Sequence, residues 1–159
     1  MIRAYHAVCT SAMCVNKKVL VASMGNPLID YDSIAYGVVE SLPDLPFMRK
    51  VHLFADPLSL VAVYRDEDGI ILVDVCDSDK IHVMDAEEIY RVESKGISSH
   101  VIGIRSAMEI LNLINHRISH IQKVFVFLPS GKHNSEKMKS FSSMLMDIIR
   151  DFSARCENR

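Results

Sequence analysis

The sequence has none of the cysteine patterns that build zinc sites or disulfide scaffolds. Its four cysteines are Cys9, Cys14, Cys76 and Cys156, and no two of them form a CxxC pair. We therefore expect reduced thiols, as in a cytosolic protein, although Cys9 and Cys14 have the alternative of binding a metal. Cys76 follows a strongly apolar run and is either a thiol ligand or a packed, inert cysteine.

Long apolar runs and an excess of charge are also missing. No apolar run approaches the length that a membrane-spanning helix needs. A formal net charge of -2 and a pI of about 6.4 give no reason to expect nucleic acid or an anionic membrane as a partner. Residues 1–13 have one arginine and no continuous apolar core, which makes a poor signal peptide. A cytoplasmic protein is the expectation.

Common nucleotide-binding and nucleophile motifs are absent. The turn at Gly25 has neither the glycines of a dinucleotide fingerprint nor the Gly-Lys-Ser/Thr of a Walker loop. Ser130 lies in no GxSxG elbow. His116 and His120 have the spacing of two ligands on a helix, but their surroundings are polar and solvent exposure is the favoured interpretation.

The sequence does contain a strand–loop–helix unit at Lys18–Leu42. Val19–Ala22 is an apolar, partly β-branched run, typical of a strand that is buried on both faces. The run ends at the turn formers Gly25–Pro27, and from Ile34 the apolar residues follow helical spacing. Folds that open in this way place ligand sites at the carboxyl ends of their strands.

Strands and helices alternate along the rest of the chain. Further strands are predicted at 51–54, 70–75, 81–84 and 123–128, and helices after Asp56, after His100 and at 136–155. Residues 85–94 are expected to be a polar connection. The alternation predicts one α/β domain over residues 18–159, preceded by an extension at 1–17 to which no role is assigned. The expected architecture is a three-layer sandwich, with helices on both faces of a mainly parallel, twisted sheet of about five strands.

Three polar residues occupy positions where a site could form: Asp32 after the first strand, Asp74 near the end of the most apolar strand, and His100 before a helix. Two carboxylates and an imidazole suit nickel, cobalt or zinc. Each residue also has an ordinary alternative, because Asp32 and His100 could cap helices and Asp74 could accept from backbone amides. A small-molecule enzyme could instead use Asp30 or Asp32 with His100 as an acid–base pair.

Three motifs, taken in order, resemble the hydrogenase maturation endopeptidases. The first is Met24–Leu28 (MGNPL), followed by Asp32 and then Val38–Leu42 (VVESL). The second is an aspartate that closes an apolar strand, Ile71–Asp74, and the third is Ser98–Ile104 (SSHVIGI). The resemblance covers most of residues 18–154.

The resemblance implies a function. Members of this family remove a short C-terminal peptide from the large-subunit precursor of nickel–iron hydrogenases once nickel has been inserted. Carried over to this chain, it implies that Asp32, Asp74 and His100 form the catalytic site and bind nickel, which the precursor supplies. The partner is then that precursor, and we expect the protein itself to be a monomer.

The chain also departs from the family pattern. Ser23 stands at the first glycine of the GxGN motif, Ala35 replaces a glycine, and residues 54–57 (FADP) replace an Asp-Gly-Gly-Thr segment. The first ligand is Asp32 where the family has glutamate. These departures motivate an alternative, a non-catalytic relative that docks a metalloenzyme subunit without cleaving it.

Overall fold

Five strands form one sheet in the computed structural model of the chain, which describes residues 17–54, 56–91 and 101–154. The strands are β1 (Val19–Ser23), β2 (Met48–His52), β3 (Gly69–Cys76), β4 (His82–Asp85) and β5 (Gln122–Pro129). Their order across the sheet is β2-β1-β3-β5-β4, and each neighbouring pair is parallel except β4 with β5. The predicted sheet of about five mainly parallel strands is confirmed.

Helices cover both faces of this sheet. They are α1 (Ile34–Glu40), α2 (Leu60–Val63), α3 (Ala86–Arg91), α4 (Val101–Ile114), α5 (His116–His120) and α6 (Ser135–Ala154). One apolar cluster joins α1 and α6 to the sheet, and a second joins α2, α3, α4 and α5 to the opposite face. The three-layer sandwich is therefore confirmed. Within the described residues, no helix is both long and apolar enough to cross a membrane.

The central strands show why a continuous apolar run was a reliable signal. Every residue of β1 and β3 is buried, because successive side chains point to opposite faces and both faces carry helices. In β1, Val19 and Val21 enter the α1–α6 cluster, whereas Leu20 and Ala22 enter the other. β2 is an edge strand and is only partly buried.

Two short helices differ from the sequence-based expectation. α3 lies inside residues 85–94, which were expected to be a polar connection. A reciprocal capping box starts it, because the backbone N–H of Glu88 donates to the Asp85 carboxylate and the Asp85 N–H donates to Glu88. The Asn115 side chain caps α5 by accepting from the Arg117 N–H.

β2 also begins and ends earlier than the predicted strand at 51–54, since its pairing with β1 starts at Met48.

Candidate functional site

Asp32 lies in the loop that follows β1, and its carboxylate is folded back against the start of that loop. Its Oδ2 accepts a hydrogen bond from the backbone N–H of Asn26 at 2.6 Å. Gly25 has a φ of +114°, and a Cβ atom at this position would overlap the carbonyl oxygen of Asp32. The N-cap of α1 is Ser33, with no side-chain capping bond. Asp32 therefore closes the loop at the end of β1 and does not cap α1.

Asp74 lies in β3, next to the end of β1. Ser23 pairs with Val73, and the Met24 N–H donates to the Val73 carbonyl, which places Asp74 beside the start of the Asp32 loop. The Asp74 side chain is fully buried, and its Oδ1 accepts from the backbone N–H of Val75 at 2.8 Å. Asp74 thus accepts a hydrogen bond from a backbone amide, which was the alternative role considered for it from the sequence. Asp32, in the loop after β1, and Asp74, in the neighbouring strand β3, therefore lie at the same edge of the sheet.

His100 lies outside the described residues. Helix α4 begins at the following residue, Val101, and a Cβ atom on Gly103 would come within 2.6 Å of Pro57 Cγ. The first turn of α4 therefore packs against the turn that follows β2, at the edge where Asp32 and Asp74 lie. Within residues 17–54, 56–91 and 101–154, no three His, Cys, Asp or Glu side chains are grouped so that they could hold a metal. The three-ligand set with His100 stays a prediction.

A chain of hydrogen bonds beside the site was not predicted. Ser23 Oγ lies 2.6 Å from His52 Nδ1, His52 Nε2 lies 3.0 Å from a Glu40 carboxylate oxygen, and the Tyr36 ring packs at 4.2 Å from the imidazole. Although the residue types match a hydrolase triad, Ser23 is 1% exposed, so a substrate has no access to its hydroxyl. The chain therefore joins α1 to the ends of β1 and β2. In the sequence, the feature that points to these hydrogen bonds is Ser23, which stands where the family has a glycine.

The backbone N–H groups at the start of the Asp32 loop already donate hydrogen bonds within the protein. The N–H groups of Met24 and Gly25 donate to the carbonyls of Val73 and Phe54, so neither is free to stabilise an oxyanion. Phe54 adopts a φ of 52°, a left-handed conformation that non-glycine residues seldom take. This strained residue thus fixes the backbone of the Asp32 loop through Gly25.

Four large apolar side chains are exposed in the segments that follow β1 and β2 at this edge. They are Leu28 and Tyr31 after β1, and Phe54 and Leu58 after β2, with exposed fractions of 90%, 60%, 54% and 45%. Exposed apolar side chains that are grouped around polar residues are typical of interaction surfaces. We call this group the apolar rim.

Cys76, the other candidate ligand in β3, is not suited to act as a nucleophile or metal ligand at neutral pH. Burial, aided by the charges of Asp74 and Asp77, raises the pKa of the Cys76 thiol to about 11. A thiol with that pKa is protonated at neutral pH and is a poor nucleophile or metal ligand, so the inert interpretation is favoured. His116 and His120 are both exposed, as predicted.

No protein-family model matches the sequence, and no curated protein sequence matches it. Solved structures do match. A NiFe hydrogenase maturation protease, HybD from Thermococcus kodakarensis, superposes with a TM-score of 0.70 at 20% identity, over 86% of this chain and 99% of that one. The chain has the fold of the hydrogenase maturation proteases.

Two further maturation proteases agree with this result. The hydrogenase maturating endopeptidase HybD from E. coli gives a TM-score of 0.67 at 16% identity, over 84% of this chain and 93% of that one. The maturation protease HycI from Thermococcus kodakarensis KOD1 gives 0.63 at 16% identity, over 89% and 95%. The resemblance read from the sequence is thus confirmed for the fold. The shared fold assigns no chemistry to this chain.

Proposed function

We propose that the protein is an endopeptidase that removes the C-terminal peptide from the large-subunit precursor of a nickel–iron hydrogenase after nickel insertion. One observation carries the proposal. In a fold shared with maturation proteases, Asp32 lies in the loop that follows β1 and Asp74 lies near the carboxyl end of the neighbouring parallel strand β3, at the edge where α/β folds place their ligand sites. Both carboxylates come from the motifs that carry the sequence resemblance.

In this proposal, nickel belongs to the substrate. Asp32, Asp74 and His100 supply two carboxylates and an imidazole, a ligand set that suits nickel, and they complete its coordination only when the precursor is loaded. Because the Asp74 carboxylate is fully buried, this proposal requires the Asp32 loop to move when the precursor binds. The position of α4 supports the inclusion of His100, because the first turn of that helix packs against Pro57 at the same edge. A metal held there could polarise the scissile carbonyl or activate water.

The apolar rim suits a polypeptide substrate better than a small molecule. Leu28 and Tyr31 lie in the Asp32 loop, Phe54 and Leu58 lie in the segment after β2, and all four are exposed. We propose that they contact the precursor on either side of the bond that is cleaved. Their burial in the complex would supply affinity that does not depend on nickel.

The test is a cleavage assay on the large-subunit precursor of the same organism, with and without nickel. We expect nickel-dependent loss of a C-terminal peptide, reduced to background in Asp32→Asn and in His100→Gln. Asp32→Asn keeps an oxygen to accept from Asn26 and removes the charge, so the loop is retained. Asp30→Asn is the matched control, since Asp30 is exposed in the same loop, and it should cleave at the normal rate. Full activity of Asp32→Asn would contradict the ligand assignment.

A second candidate function is docking without cleavage. It is favoured by the segment after β2, where Asp56 caps a short turn that begins at the buried Pro57, in place of the family's Asp-Gly-Gly-Thr. In the same assay, stable binding of the nickel-loaded precursor with no peptide release in any variant would favour this function. Loss of binding on changing Leu28 and Tyr31 to serine would then identify the apolar rim as the docking surface.

A further inference from the structure

His52 lies between the two elements that hold the Asp32 loop. The loop starts directly after Ser23, the last residue of β1, and it ends at α1, which begins at Ile34. Ser23 and His52 are paired in the register of β1 with β2. The imidazole contacts the Ser23 hydroxyl with one nitrogen and the carboxylate of Glu40, the last residue of α1, with the other. One side chain therefore joins both anchors of the loop.

The two hydrogen bonds of this imidazole differ in strength. An ionised Glu40 carboxylate only accepts, so His52 Nε2 carries the proton in the bond of 3.0 Å. In the neutral ring Nδ1 is then an acceptor, to which the Ser23 hydroxyl donates at 2.6 Å. Ser23 is buried, whereas 60% of the Glu40 side chain is exposed. Because water competes for the exposed bond, the buried bond to Ser23 is the stronger of the two.

The bond to Ser23 lies just before the contacts that hold the Asp32 carboxylate. After Ser23, the Gly25 N–H donates to the Phe54 carbonyl at 2.6 Å. The Asn26 N–H, one residue further, donates to Asp32 Oδ2, also at 2.6 Å. The imidazole and the Phe54 carbonyl thus clamp the end of β1 to the end of β2. A shift of Ser23 along β2 would carry the donor of the Asp32 carboxylate with it.

The far end of the loop is held by packing as well as by a hydrogen bond. The Tyr36 ring lies 4.2 Å from the imidazole, centroid to centroid. Tyr36 and Glu40 are four residues apart and therefore lie on the same face of α1. His52 contacts both, which fixes the rotation of the helix that begins two residues after Asp32.

We propose that His52 is a positioning residue of the candidate site, which sets the place of the Asp32 carboxylate through its buried bond to Ser23. The inference rests on the proposed function, because it gives His52 a part in peptide release. Both ring nitrogens are bonded within the protein, so His52 takes no part in the reaction itself. When the Asp32 loop moves to admit the precursor, His52 keeps the two ends of the loop in place.

Two substitutions separate the two ends of the imidazole. His52→Asn places an amide where Nδ1 lies and keeps a partner for Ser23. His52→Gln places an amide where Nε2 lies and keeps a partner for Glu40. Both variants remove the ring and its packing on Tyr36, so a merely structural role predicts similar effects of the two.

The first measurement is the NMR resonance of the Asn26 amide proton, which reports the charge-assisted hydrogen bond to Asp32. Asp32→Asn weakens this bond and gives the reference position. We expect His52→Gln to move the resonance toward that position and His52→Asn to leave it near its place in the unmodified protein. A shift in His52→Asn as large as that in His52→Gln, or no shift in either, would overturn the proposal.

Ser23→Ala tests the same bond from its other end. It should move the Asn26 resonance in the same direction as His52→Gln. Because both changes remove one shared hydrogen bond, the double variant should shift the resonance no further than the larger single change. Additive shifts would show that the two residues act separately and would contradict the positioning role.

The second measurement is peptide release from the nickel-loaded precursor, at a temperature at which circular dichroism shows both His52 variants to be folded. We expect kcat to fall about tenfold in His52→Gln, because a small displacement of a ligand is costly, and His52→Asn to restore most of it. If the unmodified protein cleaves and His52→Gln cleaves equally fast, the positioning role fails and the proposed function stands. If the unmodified protein does not cleave, the proposed function fails, and the Asn26 resonance alone decides whether His52 positions Asp32.

Discussion

At the scale of single residues, Gly25 determines where the Asp32 carboxylate lies. Gly25→Ala is expected to lower the free energy of unfolding by about 2–3 kcal/mol, because strain at a φ of +114° adds to overlap with the Asp32 carbonyl. Gly131→Ala is the matched control. Gly131 has a φ of +107° but nothing within 4 Å of a Cβ atom, so only strain of about 1 kcal/mol is expected. Urea unfolding measures both changes, and equal losses would show that the Asp32 contact contributes nothing.

Cys76 gives a prediction about pH. Its thiol has a pKa of about 11 in the folded protein, against 9.0 for an ordinary thiol, chiefly because it is buried. The folded state therefore favours the protonated thiol. Its contribution to stability is complete below about pH 9 and is lost as the pH rises toward about 11.

Alkylation measures the same property. Iodoacetamide should leave Cys76 of the folded protein unmodified at neutral pH, as read by mass spectrometry of its peptide, because the thiolate is the reactive form. The control is the protein unfolded in urea, in which the same cysteine should react readily. Fast modification of the folded protein at neutral pH would contradict the raised pKa.

The sequence predicted some of these residues and missed others for a physical reason. Asp32 was found because it follows a strand that an apolar run identifies, and Asp74 because it interrupts such a run near its end. Parallel strands bring such positions to one edge. The hydrogen bonds between Ser23 and His52 and between His52 and Glu40 were not predicted, since they depend on the register of β1 with β2 and on the rotation of α1. Neither the strand register nor the rotation of a helix can be read from the spacing of residues along the sequence.

At the scale of elements, the buried central strands were predicted from the sequence, whereas the mostly exposed helix α3 was not. The apolar runs in β1 and β3 are fully buried, and β5 is buried from Phe125 to Pro129. In α3 the only buried residue is Ile89, so the helix lacks an apolar stripe. Its start was encoded in the polar pair Asp85 and Glu88, a capping box that periodicity does not reveal.

The position of α4 depends on Gly103. A Cβ atom there would lie 2.6 Å from the Pro57 ring, which cannot rotate away. We expect Gly103→Ala to lower the free energy of unfolding by about 1–2 kcal/mol through overpacking, despite the better helix propensity of alanine. Gly37→Ala in α1 is the control, because a Cβ atom there meets only the flexible end of Met138 at 3.4 Å. It should stabilise by about 0.5–1 kcal/mol.

Changes of the same sign in the two variants would contradict this account of α4. Thermal unfolding of both proteins measures the sign directly. In the cleavage assay, Gly103→Ala should also reduce peptide release, because a shift of the first turn of α4 moves the helix that follows His100. Gly37→Ala should leave peptide release unchanged.

At the scale of the whole molecule, the sheet separates two chemical regions. The carboxyl edge carries Asp32, Asp74 and the apolar rim, whereas a cleft whose lining includes Glu87 and Lys123 lies toward the amino edge. β3 and β5 run through both regions and are paired along their full length. A variant in one region is therefore expected to leave the other intact, unless it unfolds the sheet that they share.

The division of the chain into an extension and one domain is a prediction that deletion tests. Among the residues that the structure describes, those of the two apolar clusters run from Val19 to Phe152. Deleting residues 1–16 should therefore preserve cooperative unfolding, with a loss of less than about 1 kcal/mol. It should also preserve nickel-dependent cleavage.

The matched deletion is at the other end of the chain. Removing residues 135–159 takes away α6, which buries Phe141, Leu145, Ile149 and Phe152 against the sheet. Each of these side chains contributes about 1.5–3 kcal/mol, so their combined loss approaches the whole stability of a domain of this size. We expect this protein to lose cooperative unfolding in urea, measured by circular dichroism. If the deletion of 1–16 unfolds the protein as fully as the deletion of α6, residues 1–16 are part of the domain and not an extension of it.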